Sequence, residues 1–406
     1  MRTLENHNDW PVVKSVCKKI AENGFEAVLA GGCVRDAIMG RTPNDFDVAT
    51  DATPDDLLRL FPDSESVGKH FGVIIVKIGG VAIEVATYRR DGEYKDGRHP
   101  ETVQFSSQIE DAKRRDFTVN AIFFDPIKEK LIDHVGGISD IRAGVLATVG
   151  SAEQRFSEDY LRILRMVRFS SQLGFQVEQN TLNAALVLAS KVSSISKERV
   201  RVEWEKMLNS KFSSKALQDL EYLNLIQPIL GLKVNLTTWG KFLVQMAPTA
   251  KACEKTALLF WQNNTVLELN DSLKGLKESG QNLKAATGLL LSLQKIVELK
   301  NNLGAQLELI SHQNIALVLW ALNLRDEYFG QNQQWLDRLR NHIPSVLRND
   351  KSGRLCEPIL TGGALKLRGF LQGPEMGHQL KRAYQLQLEL GLTNEEEIFA
   401  QLGEKE

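Results

Sequence analysis

The sequence predicts an α+β protein in which a mixed α/β amino-terminal domain is followed by helices throughout. Over residues 1–150, short apolar and β-branched runs alternate with segments of helical periodicity. After about Gly150 the strand pattern nearly vanishes, and Leu, Ala, Gln, Lys and Glu recur at helical spacing. The chain has 406 residues. That length suits two to four folding units of roughly 150 residues each.

The elements of the first domain follow in chain order from these patterns. Two glycines end the first apolar strand, and Pro54 with the acids after it marks a helix start. Gly79-Gly80 splits two β-branched runs into a hairpin. The predicted elements are a helix at 11–23, a strand at 25–30, a helix at 33–39, a strand at 46–49, a helix from Thr53, strands at 73–78 and 81–88, and later helices with breaks near 209–214, 275–280 and 348–353.

The composition excludes several classes of protein. The 50 basic and 51 acidic residues exclude a polycation that binds nucleic acid by bulk charge, although not a local basic face. No run of 18 apolar residues exists and the first ten residues lack a signal-peptide core, so no membrane partner is expected. Cysteines without paired spacing argue against a zinc site or disulfide scaffold and favour a reducing cytoplasm; they are Cys17, Cys33, Cys253 and Cys356.

The turn Gly31-Gly32, which follows the first strand, is a candidate phosphate site. Glycines let a backbone approach phosphates closely, and the amino terminus of the next helix favours anions. Arg35 adds a cation for a triphosphate. Because a Gly-Gly turn is a weak signal by itself, this interpretation depends on the acidic residues that follow it.

Asp45 and Asp47 are spaced for one face of a strand, since residues i and i+2 point the same way. Two carboxylates repel unless a cation lies between them, and Mg²⁺ binds one or two carboxylates together with substrate phosphates. The pair therefore predicts a magnesium-assisted phosphoryl-transfer site. Glu84, a lone acid in the apolar run 81–87, is either a third catalytic carboxylate or a solvent-facing strand residue.

Five ordered motifs resemble those of one family. Residues 31–50 closely resemble the nucleotidyltransferase signature of the class II tRNA nucleotidyltransferases and the related bacterial poly(A) polymerases. Four later segments resemble the family's other motifs. They are residues 114–121, which match the ribose-recognition motif, residues 133–137 with Asp140, residues 155–169, which match the base-selecting motif, and residues 196–201, which match the neck motif. The resemblance covers residues 28–208, and beyond them it is loose, with Ala364 where the family usually has an acid.

The resemblance implies an enzyme that extends the 3′ end of tRNA with C and A, or with A alone, from CTP and ATP. Mg²⁺ would bind Asp45 and Asp47 and bridge the triphosphate. Arg115 and Asp116 would contact the ribose and phosphates, and Asn120 is a further candidate. The implied division is a catalytic head at 1–150, a helical neck at 151–212, a body at 213–330 and a tRNA-binding tail at 331–406.

Asp159 and Arg162 carry the expected base selection. With Ser157 as a helix cap, the two residues would share one helical face. A carboxylate only accepts hydrogen bonds and a guanidinium only donates them, so the pair matches cytosine and adenine and rejects guanine and uracil. Arg165 and Arg168 follow Arg162 at intervals of three residues and could contact the phosphates or the base. The other interpretation is an ordinary salt bridge on a solvated helix.

Other functions stay open at this point. Poly(A) polymerase is the nearest, although residues 67–73 lack the doubly basic stretch common in such enzymes of Gram-negative bacteria, and no long basic carboxyl-terminal extension is present. The motifs do not separate full CCA addition from addition of the terminal A. In the family, a flexible loop at the position of residues 89–100 accompanies addition of the terminal A, so the resemblance argues only against an enzyme that adds C alone. A catalytically silent RNA-binding protein would not need intact site residues, and a toxin-like or antibiotic nucleotidyltransferase would not need Asp159 and Arg162.

Overall fold

The computed structural model describes residues 1–68, 72–92, 103–232, 236–247, 249–261, 263–311, 313–330, 334–348 and 355–403. The chain divides into two compact units, Met1–Ile229 and Leu230–Glu406. The first unit contains a sheet with helices, and the regular elements described in the second unit are helices. The predicted α+β class, with a mixed first part and a helical remainder, is confirmed.

The elements up to the division between the units alternate between strands and helices before becoming helical. They are α1 (Arg2–Glu5), α2 (Trp10–Glu22), β1 (Ala27–Ala30), α3 (Gly32–Ile38), β2 (Asp47–Thr50), α4 (Pro54–Leu60), β3 (Glu65–Gly68), β4 (Val73–Ile78), β5 (Val81–Thr87), β6 (Arg89–Asp91), β7 (Val103–Phe105), α5 (Gln108–Lys113), β8 (Ile122–Asp125), β9 (Lys130–Asp133), α6 (Gly137–Ala143), β10 (Val145–Leu146), α7 (Ala152–Glu158), α8 (Leu161–Leu173), β11 (Gln176–Val177), α9 (Gln179–Leu188), α10 (Lys197–Leu208), α11 (Ser213–Tyr222) and α12 (Ile226–Leu230), with 3₁₀ turns at Thr118–Asn120 and Ala189–Ser194.

The regular elements described in the second unit are all helices. They are α13 (Thr238–Met246), α14 (Ala252–Phe260), α15 (Val266–Gly275), α16 (Gly280–Lys295), α17 (Leu303–Ile310), α18 (Ile315–Phe329), α19 (Gln334–Val346), α20 (Gly362–Leu367), α21 (Pro374–Leu390) and α22 (Glu395–Leu402). Among the described helices, none combines the length and apolar character needed to cross a membrane.

The sheet of the first unit places the candidate catalytic residues. Its strand order is β3-β4-β5-β2-β1-β8-β9, and β2 pairs in parallel with β5 but antiparallel with β1. The central strand β1 is buried along its whole length, as expected of a strand covered on both faces. Because β1 and β2 run in opposite directions, the glycines after β1 lie at the end of the sheet where β2 begins.

Several local predictions are confirmed by the elements. Thr53 and Asp56 form a reciprocal capping box at the start of α4, which satisfies two backbone N–H groups. The turn Gly79-Gly80 has positive φ at both residues, the conformation that a tight β4–β5 hairpin requires. The predicted breaks near 209–214 and 275–280 fall between α10 and α11 and between α15 and α16.

Three local predictions were wrong or incomplete. Asp45 lies in the loop before β2, because the strand begins only at Asp47. Ser157 lies inside α7, whose amino-terminal cap is Ser151. Of the predicted polar loop at 89–100, residues 89–91 form β6, and residues 93–100 lie outside the described residues.

Gly137 allows α6 to pack directly on the 3₁₀ turn at Thr118–Asn120. A Cβ atom at this position would lie 2.2 Å from the carbonyl oxygen of Thr118 and 2.9 Å from Cγ1 of Ile122. Backbone atoms cannot move aside as the end of a flexible side chain can. The glycine therefore sets how closely α6 approaches the segment that carries Asn120.

We predict that Gly137→Ala destabilises the protein by about 3 kcal/mol, because α6 must move away from Thr118. Urea unfolding followed by circular dichroism measures the change. Gly280→Ala is the control, since a Cβ there meets no atom within 4 Å. An alanine at residue 137 that unfolds at the same urea concentration as the unchanged protein would contradict the close approach.

Candidate active site

Asp47 and Glu84 lie side by side in the sheet. They are paired residues in the parallel ladder between β2 and β5, so their side chains leave the same face. Asp45, two residues earlier, acts electrostatically on the Asp47 carboxylate, and so does the guanidinium of Arg115. Three carboxylates and one cation therefore gather where β2 begins, although only two of the carboxylates come from strands.

The environment of Asp47 disfavours its charged form. Loss of water around the carboxylate, followed by the negative charges of Glu84 and Asp45, raises its pKa to about 6, and Arg115 opposes this rise. Its side chain still reaches solvent at the start of β2. A carboxylate under repulsion at an open position is a suitable place for a hard cation with oxygen ligands.

The carboxylates do not form a complete metal cage. In the part of the chain that the structure describes, no group of three or more His, Cys, Asp or Glu side chains is arranged to hold a metal ion.

Gly31 brings the glycine turn against Arg115. Its φ is +75°, in the region that glycine adopts without strain, and its N–H donates to the carbonyl of Ile122. A Cβ at Gly31 would lie 3.2 Å from Nη1 of Arg115, whereas at Gly32 it would lie 3.7 Å from Nη2 of Arg35. Both glycines therefore lie beside an arginine of the candidate site.

A buried chain of hydrogen bonds joins the ribose-recognition residues to two arginines. Nη1 of Arg35 donates to Oδ1 of Asn120 at 2.6 Å, and Nδ2 of Asn120 donates to Oδ1 of Asp116 at 3.2 Å. Nε of Arg165 donates to the other oxygen of Asp116 at 2.7 Å. Burial by itself would raise the pKa of Asp116, but Arg165 and Asn120 lower it to about 2. Asp116 and Asn120, which were predicted to contact the ribose, are thus hydrogen-bonded to each other.

Phe169 supports the same arginines with its ring. The guanidinium carbons of Arg168, Arg165 and Arg35 lie 4.0, 5.3 and 5.4 Å from the ring centroid. Arg168 also forms a buried ion pair with Glu203 of α10 at 2.6 Å. Arg168 is therefore held inside the protein, at a position that was predicted to face phosphates or the base.

Asp159 and Arg162, the residues expected to select the base, do not share a helical face, contrary to the sequence prediction, and each has its own partner of opposite charge. Asp159 lies between α7 and α8 with an extended backbone, and its carboxylate accepts from the N–H of Leu161 at 3.0 Å and from Arg199 at 2.6 Å. Arg162 instead donates to the carbonyl of Arg155 at 2.8 Å and pairs with Glu158. The helix ends before Asp159, so the expected common helical face does not exist.

Sequence reasoning missed three partners of the site residues. Asp111 is 1% exposed and pairs with Arg115 at 2.9 Å; its spacing of four residues on a helix could have indicated this. Glu158 pairs with Arg162 at the same spacing, although Glu158 ends α7 and Arg162 belongs to α8. Arg199 comes from α10, and no local pattern indicates that it reaches Asp159.

Two family models match the chain. Residues 27–147 match the model described as "Poly A polymerase head domain". Residues 174–232 match that described as "Probable RNA and SrmB- binding site of polymerase A". The first match covers the sheet and the carboxylates, and the second begins at the end of α8.

The sequence is similar to several curated proteins. The CCA-adding enzyme of Oceanobacillus iheyensis is 42% identical over 259 residues, which are 64% of each chain. The match thus spans somewhat less than two thirds of that relative's length. The CCA-adding enzyme of Lactiplantibacillus plantarum is 32% identical over 401 residues, which are 96% of this chain and 95% of the other. The chain belongs to the CCA-adding enzyme family.

A solved structure of this family has the same fold. The Bacillus stearothermophilus CCA-adding enzyme, crystallised in complex with CTP, superimposes with a TM-score of 0.76 at 29% identity, over 98% of this chain and 97% of that one. The CCA-adding enzyme of Thermotoga maritima superimposes with a TM-score of 0.69 at 18% identity, which shows the shared fold. The family fold therefore includes the helical second unit as well as the sheet.

We predict that Asp47→Asn stabilises the metal-free protein at pH 8. A carboxylate with a raised pKa contributes stability that is complete below its unfolded value near 3.8 and is lost as the pH rises through about 6. Removing the charge should restore about 1 kcal/mol after allowance for solvent screening, or about 2 °C in Tm.

Thermal melts in EDTA at pH 8 and pH 4 measure this gain, which should nearly vanish at pH 4. Asp63→Asn, at an exposed aspartate outside the site, is the control. A lower Tm for Asp47→Asn at pH 8 would mean that the carboxylate is stabilised in its charged form.

Proposed function

We propose that this protein is a template-independent nucleotidyltransferase that adds C and A to the 3′ end of tRNA, with CTP and ATP as substrates. The observation that carries the proposal is the pairing of Asp47 with Glu84 beside the Gly31-Gly32 turn. The likeness to a CCA-adding enzyme over 96% of the chain supports the substrate class. The Bacillus stearothermophilus enzyme was crystallised in complex with CTP, which supports CTP as a substrate of this protein. All four cysteines are free, which suits action in a reducing cytoplasm.

The carboxylates supply the chemistry in this proposal. The donor set fits a divalent cation, because Asp45 and Asp47 are hard oxygen ligands whose repulsion a cation relieves. Mg²⁺ held there would lower the pKa of the RNA 3′-hydroxyl and neutralise charge on the triphosphate. One of the two aspartates, Asp45 or Asp47, takes the hydroxyl proton. The 3′-oxygen bonds to the α-phosphorus, the α–β bridging bond breaks, and pyrophosphate leaves.

Arginines hold the nucleotide in the same proposal. Arg115 acts electrostatically on the Asp47 carboxylate and lies beside Gly31, where it can meet the phosphates. Arg35 is fixed by Asn120 and Asp36, so its side chain needs little ordering when a triphosphate binds. Asp116 holds Arg165, and Asn120 holds Arg35. The family motif implies in addition that Asp116 and Asn120 contact the ribose directly.

Base selection is assigned to Asp159 and Arg162. The carboxylate accepts from the amino group of cytosine or adenine, and the guanidinium donates to the ring nitrogen beside it. Guanine and uracil present a carbonyl and an N–H at these positions, which leaves both contacts unmade. Asp159 lies at the α7–α8 junction and Arg162 in the first turn of α8, where its backbone N–H donates to the carbonyl of Asp159 at 3.0 Å.

The experiment that tests this function is incorporation of labelled CTP and ATP into four RNAs. Three are tRNA transcripts that end before CCA, after C and after CC, and the fourth is unstructured. We expect each tRNA to gain only its missing bases and the unstructured RNA to stay unchanged. Growth of the CC-ended tRNA alone, by one A, would instead mean an enzyme for the terminal A, and long A tracts on every RNA would mean poly(A) synthesis.

We predict that Asp45→Ala lowers incorporation by about a hundredfold or more while tRNA binding persists, because the substitution removes a metal ligand and leaves the RNA-binding surface of the protein unchanged. Filter binding with labelled tRNA measures the affinity for tRNA. Asp63→Ala, which removes an exposed aspartate outside the site, should retain full activity. Full incorporation by Asp45→Ala would refute the metal assignment.

A further inference from the structure

Asp159 is held by an arginine from a different helix. Its backbone is extended, with φ −152° and ψ 105°, so its side chain does not belong to the face of either helix. Two contacts fix the direction of the side chain, one of them from the first residue of α8. The N–H of Leu161 donates to Oδ1 at 3.0 Å, and Nη2 of Arg199 donates to Oδ2 at 2.6 Å. The side chains of Asp159 and Arg199 are 15% and 24% exposed, so this ion pair is largely shielded from water.

The helix that carries Arg199 is itself anchored. Arg199 is the third residue of α10, which packs against α8. The buried ion pair between Arg168 and Glu203 ties these two helices together four residues further along α10. Arg199 therefore approaches Asp159 from a fixed position. Because its guanidinium is planar and rigid, little conformational entropy is lost when the ion pair forms.

The two base-selecting residues have separate partners of opposite charge. Arg162 pairs with Glu158 and donates to the carbonyl of Arg155, while Asp159 pairs with Arg199. If Asp159 lost Arg199, the nearest cations would attract its carboxylate, and Arg165 already lies within its electrostatic reach. A carboxylate that turned towards these arginines would no longer point at a base.

The contact with Arg199 leaves Asp159 able to bind a nucleobase. An ionised carboxylate has about four lone-pair positions. The N–H of Leu161 and Nη2 of Arg199 use two of them, one on each oxygen. An exocyclic amino group can therefore be accepted without breaking either contact, in an orientation that the protein has already set.

We propose that Arg199 is a positioning residue for base selection. It holds the Asp159 carboxylate in the orientation that accepts from the amino group of cytosine or adenine, and keeps that carboxylate from pairing with Arg162 or Arg165. This inference rests on the proposed function. It adds a specificity-determining residue that touches neither the base nor the phosphates.

The test compares incorporation of single CTP, ATP, GTP and UTP into tRNA that lacks CCA, by Arg199→Ala, Arg199→Lys and the unchanged protein. In Arg199→Ala the preference for CTP over UTP should fall by about tenfold, the order expected for one charge-assisted hydrogen bond. Arg199→Lys, which keeps the charge but not the planar fork, should recover part of it.

Arg201→Ala is the matched control, because Arg201 lies on the same helix at similar exposure and pairs with Glu205. It should leave the preference unchanged. A structural role alone would lower all four rates together in Arg199→Ala, and an unchanged CTP-to-UTP ratio would overturn the proposal. Should Arg199→Ala fail to fold, Arg199→Gln provides the same ratio with a neutral donor of similar length.

The unchanged protein distinguishes this proposal from the function on which it rests. If it does not add C or A to tRNA, the proposed function is wrong and the role of Arg199 falls with it. If it adds them and Arg199→Ala keeps full preference for CTP over UTP, only the role of Arg199 is wrong.

Discussion

The buried carboxylate of Asp116 is the interaction on which the candidate site depends. It accepts hydrogen bonds from Asn120 and Arg165, and Asn120 in turn holds Arg35. One carboxylate thus joins the helix after the glycine turn, the 3₁₀ turn and α8. Its pKa of about 2 keeps it charged at any physiological pH. A buried charge without partners would be strongly unfavourable, so loss of one of these contacts would destabilise the arrangement of all three segments.

The site separates charges of opposite sign along its length. Carboxylates gather at the start of β2, where Asp45 and Glu84 act on Asp47. Arginines gather around Phe169 and Asp116. A nucleoside triphosphate has matching parts, since its phosphates need cations, both metal and arginine, and its base needs a fixed donor and acceptor. The acidic end is left under repulsion, whereas most charges at the basic end are neutralised within the protein.

This difference agrees with the roles that we propose for the two ends. A metal-dependent end gains by having unsatisfied negative charge, because the repulsion is relieved only when a cation binds. A base-selecting end gains by having its groups fixed beforehand, because a loose carboxylate or guanidinium would adapt to the wrong base. Glu158 and Arg199 supply that fixation for Arg162 and Asp159.

The sequence by itself determined the fold class, the hairpin at Gly79-Gly80 and the capped start of α4. Each depends on neighbours a few residues apart or on the alternation of a strand, so local spacing is sufficient. The partners of the charged groups were decided by the tertiary structure. Arg199 is 40 residues from Asp159, Arg165 is 49 from Asp116, and Arg35 is 85 from Asn120. The spacing of Asp159 and Arg162 predicted a helical pair, but the helix ends before Asp159, and packing of α10 on α8 supplied a different cation. A charge pairs with the opposite charge that the fold brings closest, and sequence distance does not limit that choice.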